Sequence, residues 1–138
     1  MAYDNETLGW VYHRTDGKCH LCHKKLSFKN YGLGGAKGAW EVEHSIPRAN
    51  GGTDHRNNLF PACITCNRSK ATSATRAARS WSGYTKAPLS RERREEVKMK
   101  NALGGAVAGG LLWLVNPVAG LFGAAIGALI GHSANPEG

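Results

Sequence analysis

The chain has 138 residues and carries 18 Lys and Arg against 10 Asp and Glu, which gives a formal net charge of +8 at pH 7. This length leaves room for one small domain with appendages and excludes a larger multidomain enzyme within these residues. All the Lys and Arg fall between Arg14 and Lys100. The basic part of the chain therefore predicts a polyanionic partner, either nucleic acid or an anionic membrane surface.

Composition divides the chain into four segments. Residues 1–80 hold every cysteine, mixed with aromatic, glycine, histidine and charged residues, and form the candidate globular module. Residues 81–101 contain a charged run behind Ser90, a residue type that often caps a helix N-terminus, and predict an exposed helix. Residues 102–131 contain no Asp, Glu, Lys or Arg, and residues 132–138 form a polar C-terminus.

The elements predicted within the first segment are short. Residues 26–39, rich in glycine, predict a loop or loose hairpin. Residues 40–44 predict a strand, and residues 58–61 predict a brief return strand after a broad loop. Helical propensity begins near residue 63 and runs to residue 79. The expected fold class is therefore α+β, with a small domain followed by a charged helix and an apolar helical tail.

Four cysteines form two widely separated C-x2-C pairs, Cys19 and Cys22, then Cys63 and Cys66. This spacing favours a tetrahedral zinc site, because each pair can form a tight knuckle that supplies two thiolates. Disulfides are the alternative, but residues 1–7 carry acidic side chains and lack the apolar stretch of a secretory signal. His20 and His23 flank the first pair as alternative zinc ligands. A structural zinc ion would add on the order of 10 kcal/mol to the folding free energy of so small a module.

A polar cluster between the two cysteine pairs contains the candidate catalytic residues. A carboxylate next to a histidine at the end of a strand can divide the work of phosphodiester hydrolysis. His44 would activate a water molecule, and Glu43 would hold a divalent cation. Asn67 directly follows the last cysteine at the predicted start of a helix, and its amide oxygen suits magnesium or manganese.

Together these residues resemble the HNH endonuclease family. The resemblance covers about residues 15 to 75 and rests on four motifs: Glu43-His44-x2-Pro47, Gly51-Gly52, Asn58-Leu59 and Cys63-x2-Cys66-Asn67-x2-Lys70. It implies a ββα-metal fold, also called a His-Me finger, in which two strands and a helix hold one catalytic divalent metal and a zinc knuckle braces the module. The structural metal would be Zn²⁺ and the catalytic metal Mg²⁺, Mn²⁺ or another divalent ion.

The resemblance also implies roles for individual residues. His44 would be the general base, Glu43 and Asn67 the metal ligands, and Asn58 the residue that holds the loop and thereby orients His44. The family more often has aspartate, or a second histidine, where this chain has Glu43, whose side chain is longer by one methylene. At Lys70 some members have another histidine, so a phosphate contact is expected there instead of a metal ligand.

Basic side chains near the predicted site are the expected nucleic-acid contacts. We expect Arg48, Arg68 and Lys70 to contact phosphate, although the last two could simply form the solvated face of a helix. His13 and His55 have no assigned role. The predicted activity is hydrolysis of phosphodiester bonds in double-stranded DNA. The alternative is a non-catalytic, zinc-dependent module that only binds nucleic acid.

The charge-free segment predicts membrane association. Ala102 to Ile130 is 29 residues long, enough to cross a bilayer core of roughly 30 Å as a helix. Glycines at every fourth position from Gly123 to Gly131 permit close helix contact and a homo-oligomer. Asn116-Pro117 leaves halves too short to span singly, so the alternatives are a kinked helix, a hairpin in one leaflet, or Gly/Ala-rich helices packed in a soluble oligomer. The expectation is a cytoplasmic nuclease anchored at the inner face of the cell membrane, with an effector or phage-defence role, or otherwise simply cytoplasmic.

Overall fold

The computed structural model describes the backbone of residues 3–115 and the side chains of residues 3–104. Within this part the chain divides into two compact units between Ser90 and Arg91. Residues 116–138, which include the second half of the predicted apolar segment and the polar C-terminus, lie outside the described residues.

The first unit opens with helix α1, Asn5–His13. The carboxylate of Asp4 caps this helix by accepting a hydrogen bond of 2.6 Å from the backbone N–H of Thr7. Leu8 and Val11, three residues apart on one helix face, are buried. The helix is absent from the sequence prediction, although its capping residue and its apolar spacing are both local signals.

Two antiparallel strands form the only sheet among the described residues. Strand β1 is Trp40–His44 and strand β2 is Leu59–Cys63, paired so that Trp40 lies opposite Cys63 and His44 opposite Leu59. The β-branched and aromatic residues of β1 suit a half-buried strand. Both predicted strands are therefore present, the second one displaced by one to two residues.

Helix α2, Ile64–Lys70, follows β2 directly and completes a ββα unit. The predicted helix to residue 79 is interrupted, because Ala71 has a φ of 44° and the backbone N–H of Ser73 bonds to the carbonyl of Lys70. Serine and threonine side chains around this point compete with helical hydrogen bonding. Helix α3, Thr75–Ser80, resumes after the break, and its Thr75 hydroxyl donates to the carbonyl of Ser45 at 2.8 Å.

Trp40 lies at the centre of the core and has no exposed surface. The rings of Tyr12, Phe28 and Tyr31 pack around it with centroids 5.0 to 6.3 Å away. The remaining core is small, and it includes Leu8, Val11, Cys19, Leu21, Leu26, Leu59, Ala62 and Ala78. So few large apolar side chains give limited stability, which is consistent with a module that depends on a metal brace. The described residues thus confirm an α+β fold class.

The second unit begins with helix α4, Arg91–Val115, which starts directly after Ser90 as predicted. Exposed ion pairs along its first turns join Glu96 to Arg93 at 2.9 Å and to Lys100 at 2.7 Å. Among the described residues, no helix combines the length and the apolar character that a membrane crossing requires. Membrane association and a homo-oligomer through residues 102–131 remain predictions, because most of that segment lies outside the described side chains.

Candidate active site

The four cysteines form a compact cluster at the base of the ββα unit. All four are free thiols, and their sulfur atoms lie within 4.8 Å of one another. The Sγ atoms of Cys22 and Cys63 are 3.8 Å apart. Four sulfurs about 2.3 Å from a zinc ion would form a tetrahedron with edges of roughly 3.8 Å. The cluster therefore fits a structural metal such as zinc.

The four thiols also shift one another's pKa values, as expected of side chains packed closely enough to bind one metal ion. Hydrogen bonds from Cys19 and Cys22 lower the pKa of Cys63 to about 2, whereas hydrogen bonds with Cys22 and Cys63 raise the pKa of Cys19. Burial, followed by the neighbouring cysteines, raises the pKa of Cys66 to about 12. Hydrogen bonds from neighbouring groups therefore favour the thiolate form of Cys63. A divalent ion would stabilise all four as thiolates.

The two histidines beside the first cysteine pair point away from the cluster. His23 stacks on Tyr84 with centroids 3.5 Å apart, and its Nε2 lies 3.1 Å from the carbonyl oxygen of Lys86. His20 is fully buried, stacks on Phe60 and contacts Glu43. Neither ring belongs to the group of side chains in the described region that could hold a metal.

Helix α2 lies against one face of β1 and contacts both glutamates of that strand. Glu41 and Glu43 point to the same face because they are two residues apart on a strand. Asn67 and Lys70 share a helix face because they are three residues apart. Asn67 contacts Glu41, and Lys70 contacts Glu43. The register between α2 and β1 therefore decides which glutamate meets which partner.

Glu43 lies in the interior with a close neighbour at each carboxylate oxygen, although the contact at Oε2 is not a well-formed hydrogen bond. Lys70 Nζ lies 2.6 Å from Oε1, and His20 Nε2 lies 2.7 Å from Oε2. Burial favours the neutral acid, but the contacts with His20 and Lys70 outweigh it and hold the pKa of Glu43 below its ordinary value. Burial also lowers the pKa of His20, which favours a neutral ring. Glu43 is therefore an ionised carboxylate held between a lysine and a histidine.

Lys70 does not have the position expected of a phosphate contact. Its side chain is 1% exposed, and its ammonium group donates to the carbonyl oxygen of His44 at 3.1 Å in addition to pairing with Glu43. An ammonium group so enclosed cannot reach a nucleic-acid backbone. This placement corrects the expectation that Lys70 contacts phosphate.

Asn67 lies beside Glu41 at the edge of an open cleft. Its Nδ2 donates to Glu41 Oε2 at 2.8 Å. The cleft has a volume of about 440 Å³. Its lining residues come from the N-terminal segment, the loop before β1, β1 itself, the loop after it and α2: Tyr3, Tyr31, Gly32, Glu41, Val42, His44, Arg48 and Asn67. The structure therefore brings the predicted residues His44 and Asn67 to one cleft, with Glu41 beside them.

His44 is held by the carboxylate of Asp54, a residue that motif spacing does not single out. Its Nε2 lies 2.8 Å from Asp54 Oδ1. Asp54 also accepts hydrogen bonds from the Tyr3 hydroxyl at 2.9 Å and from the Arg48 guanidinium at 2.5 and 2.7 Å. Hydrogen bonds from His44 and then Tyr3 lower the pKa of Asp54. An ionised Asp54 thus fixes the orientation of the His44 ring.

The loop that carries Asp54 is closed by Asn58. Its side-chain oxygen accepts from the Ile46 backbone N–H at 2.6 Å, and its Nδ2 donates to the carbonyl oxygens of Ile46 and Thr53 at 3.0 and 2.9 Å. The backbone approaches closely at Gly52, where an added Cβ would lie 1.7 Å from the carbonyl oxygen of Ile46. The side chain of Asn58 therefore bonds to the loop after β1, and these hydrogen bonds do not include the His44 ring.

The two predicted arginine contacts have different surroundings. Arg48 is 54% exposed and lies at the cleft, paired with Asp54. Arg68 is exposed on α2 and lines a separate groove with Lys24 and Lys25, next to the cysteine cluster. Contact of either arginine with phosphate stays a prediction.

Comparison with known families agrees with this geometry. A family model described as HNH endonuclease matches residues 19–73. Residues 19–73 are therefore similar to an HNH domain. The matched residues include both cysteine pairs, both strands and helix α2, so the ββα unit and its cysteine cluster are parts of the matched segment. An HNH domain indicates nuclease chemistry and a nucleic-acid substrate. No curated protein matches the chain.

Proposed function

We propose that this chain is a metal-dependent endonuclease that hydrolyses phosphodiester bonds of double-stranded DNA. The observation that carries the proposal is the cleft in which His44, oriented by Asp54, lies with the Asn67 side chain inside an HNH domain. A base and a metal-binding amide at one open cleft are what in-line attack of water on a phosphodiester requires.

His44 acts as the general base. Because its Nε2 faces the ionised Asp54 carboxylate, this nitrogen carries the proton and Nδ1 is the acceptor. Nδ1 takes a proton from a water molecule, whose oxygen attacks the phosphorus atom while the bond to the 3′-oxygen breaks. The leaving 3′-oxygen takes a proton from bulk water, so the products are a 5′-phosphate and a 3′-hydroxyl. Asp54 stabilises the imidazolium that forms.

Asn67 would hold the catalytic cation at its end of the cleft. Amide and carboxylate oxygens are hard ligands, which suit Mg²⁺ or Mn²⁺. When bound, such an ion would stabilise negative charge on the leaving oxygen. Glu43 is the second ligand expected from the HNH pattern, while Glu41 is the carboxylate that contacts Asn67.

Arg48 is the proposed phosphate contact closest to the reaction, because it lies at the cleft and is half exposed. Arg68 would contact the backbone farther along the duplex, on the exposed face of α2. Their positive charges make binding dependent on salt. From the sequence alone, we also propose a cytoplasmic location and membrane tethering in a defence or effector role.

Plasmid nicking tests this function. Full-length protein loaded with zinc is incubated with supercoiled DNA in Mg²⁺ or Mn²⁺, with and without EDTA. We expect nicking by the wild type, a loss of at least about 100-fold in His44→Ala, and retained activity in His13→Ala, an exposed histidine on α1.

Other outcomes would separate the alternatives. Equal rates in the wild type and His44→Ala would refute His44 as the base. A protein that binds DNA, holds zinc and cleaves neither DNA nor RNA in either metal would instead be the non-catalytic binding module.

A further inference from the structure

We propose that Glu41, rather than Glu43, supplies the carboxylate of the catalytic divalent-cation site, together with the amide oxygen of Asn67. This assignment rests on the proposed function, since it concerns the cation that the nuclease reaction requires. It departs from the sequence prediction, in which Glu43 is the metal ligand because it directly precedes His44.

Glu43 is enclosed in the interior. Its Oε1 pairs with the Lys70 ammonium, its Oε2 lies 2.7 Å from the Nε2 of the buried His20 without a well-formed hydrogen bond, and its side chain is 3% exposed. A cation at Glu43 would have to enter this closed space and displace His20 or Lys70, and displacing Lys70 would leave a charged ammonium unpaired. Taking one partner from a buried ion pair is strongly unfavourable. Glu43 is therefore a structural residue of the β1–α2 contact.

Glu41 has the opposite surroundings. It is partly exposed, lines the cleft with His44, and accepts a hydrogen bond from the Asn67 amide. A cation that enters the cleft can reach Glu41 without breaking a buried pair. Of the two glutamates on β1, Glu43 therefore pairs with Lys70 and Glu41 faces the cleft.

The spacing between Glu41 and Asn67 also suits a shared ion. The Asn67 Nδ2 lies 2.8 Å from Glu41 Oε2. Rotation of the amide by half a turn would place its oxygen where the nitrogen now lies. Adjacent ligand oxygens of an octahedral magnesium ion, with bonds of about 2.1 Å, are roughly 2.9 Å apart. The two side chains therefore need no backbone movement to become neighbouring ligands.

Metal binding tests the assignment independently of cleavage. Protein with its cysteine site filled by zinc is titrated with Mn²⁺, and free Mn²⁺ is followed by electron paramagnetic resonance. We expect Glu41→Gln to weaken Mn²⁺ binding by at least about 10-fold, as loss of a ligand does, with an unchanged Tm in the absence of Mn²⁺. Glu6→Gln, an 87% exposed glutamate, is the matched control and should bind Mn²⁺ as the wild type does.

Glu43→Gln should show the reverse pattern, a lower Tm with Mn²⁺ affinity within about threefold of the wild type. If this variant fails to fold, Glu43→Gln combined with Lys70→Met removes both charges of the buried pair and takes its place. Loss of Mn²⁺ binding in the folded Glu43 variant, with wild-type binding in Glu41→Gln, would overturn the assignment, as would a wild-type protein that binds no Mn²⁺.

The outcomes also separate this inference from the nuclease proposal. A wild-type protein that binds Mn²⁺ through Glu41 but cleaves no nucleic acid would refute the nuclease proposal and support the cation site. DNA cleavage by Glu41→Gln at the wild-type rate and Mn²⁺ affinity would refute the Glu41 assignment alone.

Discussion

Lys70 and Glu43 form a buried ion pair that joins α2 to β1, with Nζ 2.6 Å from Oε1 and both side chains at most 3% exposed. Lys70 also donates to the backbone carbonyl of His44, the last residue of β1. These two contacts fix the register of the helix against the strand. One helical turn earlier, that register places Asn67 beside Glu41.

Removal of the lysine charge should destabilise the protein without a direct effect on DNA contacts. For Lys70→Met we expect the free energy of unfolding to fall by about 3–5 kcal/mol, because Glu43 keeps a buried charge with one partner lost. Urea denaturation of the zinc-loaded protein measures this, with the exposed Lys24→Met as control. The double variant with Glu43→Gln should recover part of the loss. Equal losses in the single and double variants would contradict the ion-pair account.

The contact between His44 and Asp54 should set the rate of cleavage. Asp54→Asn keeps the size of the side chain but removes the charge that stabilises the imidazolium, so we expect the cleavage rate to fall by about 10- to 100-fold with Mn²⁺ affinity unchanged. Single-turnover nicking at saturating Mn²⁺ measures the rate. Thr53→Ala, at the neighbouring loop position, is the control. A wild-type rate in Asp54→Asn would show that the carboxylate does not assist His44.

The same pair has a defined pH dependence. Because the contacts with His44 and Tyr3 lower the pKa of Asp54, its contribution to stability is present above the ordinary value of 3.8 and is lost as the pH falls through the lowered pKa. The difference in stability between the wild type and Asp54→Asn should therefore not shrink between pH 7 and about 4.5, and should shrink only below 3.8. A difference that shrinks already between pH 7 and 5 would exclude this source.

Local sequence signals account for the strands and the cysteine cluster. The apolar and β-branched residues of β1 and the C-x2-C spacing are each readable within a few residues. Helix α1 has equally local signals in the Asp4 cap and the buried pair Leu8 and Val11, and it could have been predicted from them.

The arrangement of the site depends on contacts between distant parts of the chain. Glu41 and Glu43 lie on the same face of the strand, so the strand pattern does not distinguish them. The position of Lys70 on α2 determines that Glu43 is the one in the buried ion pair. Asp54 reaches His44 because the intervening loop folds back under Asn58. After the break that follows α2, the Thr75 hydroxyl donates to the carbonyl oxygen of Ser45, thirty residues earlier. Periodicity and motif spacing carry none of this information.

Zinc removal should unfold the module and abolish activity together. Cys66 directly precedes Asn67 in α2, so loss of the metal frees the segment that positions the amide. We expect chelation to remove on the order of 10 kcal/mol of folding free energy, to eliminate the helical circular dichroism signal of the module, and to be reversed by added zinc. Cys63→Ser should behave similarly. His23→Ala should retain one zinc per chain, because this ring contacts Tyr84 and not the cysteine cluster. A chelated protein that keeps both fold and activity would contradict the structural role of the metal.

The loop between β1 and β2 should tolerate no side chain at Gly52. An added Cβ would lie 1.7 Å from the Ile46 carbonyl oxygen and 3.0 Å from the Asn58 side-chain nitrogen, so the loop must open to accept it. For Gly52→Ala we expect a loss of about 1–3 kcal/mol in stability, as for other overpacked sites, and a larger fractional loss of cleavage because Asp54 moves with the loop. Gly34→Ala is the matched control, since nothing lies within 4 Å of its added Cβ. Urea denaturation and nicking rates measure the two effects. Stability loss with a fully retained nicking rate would show that the loop can shift without displacing Asp54 from His44.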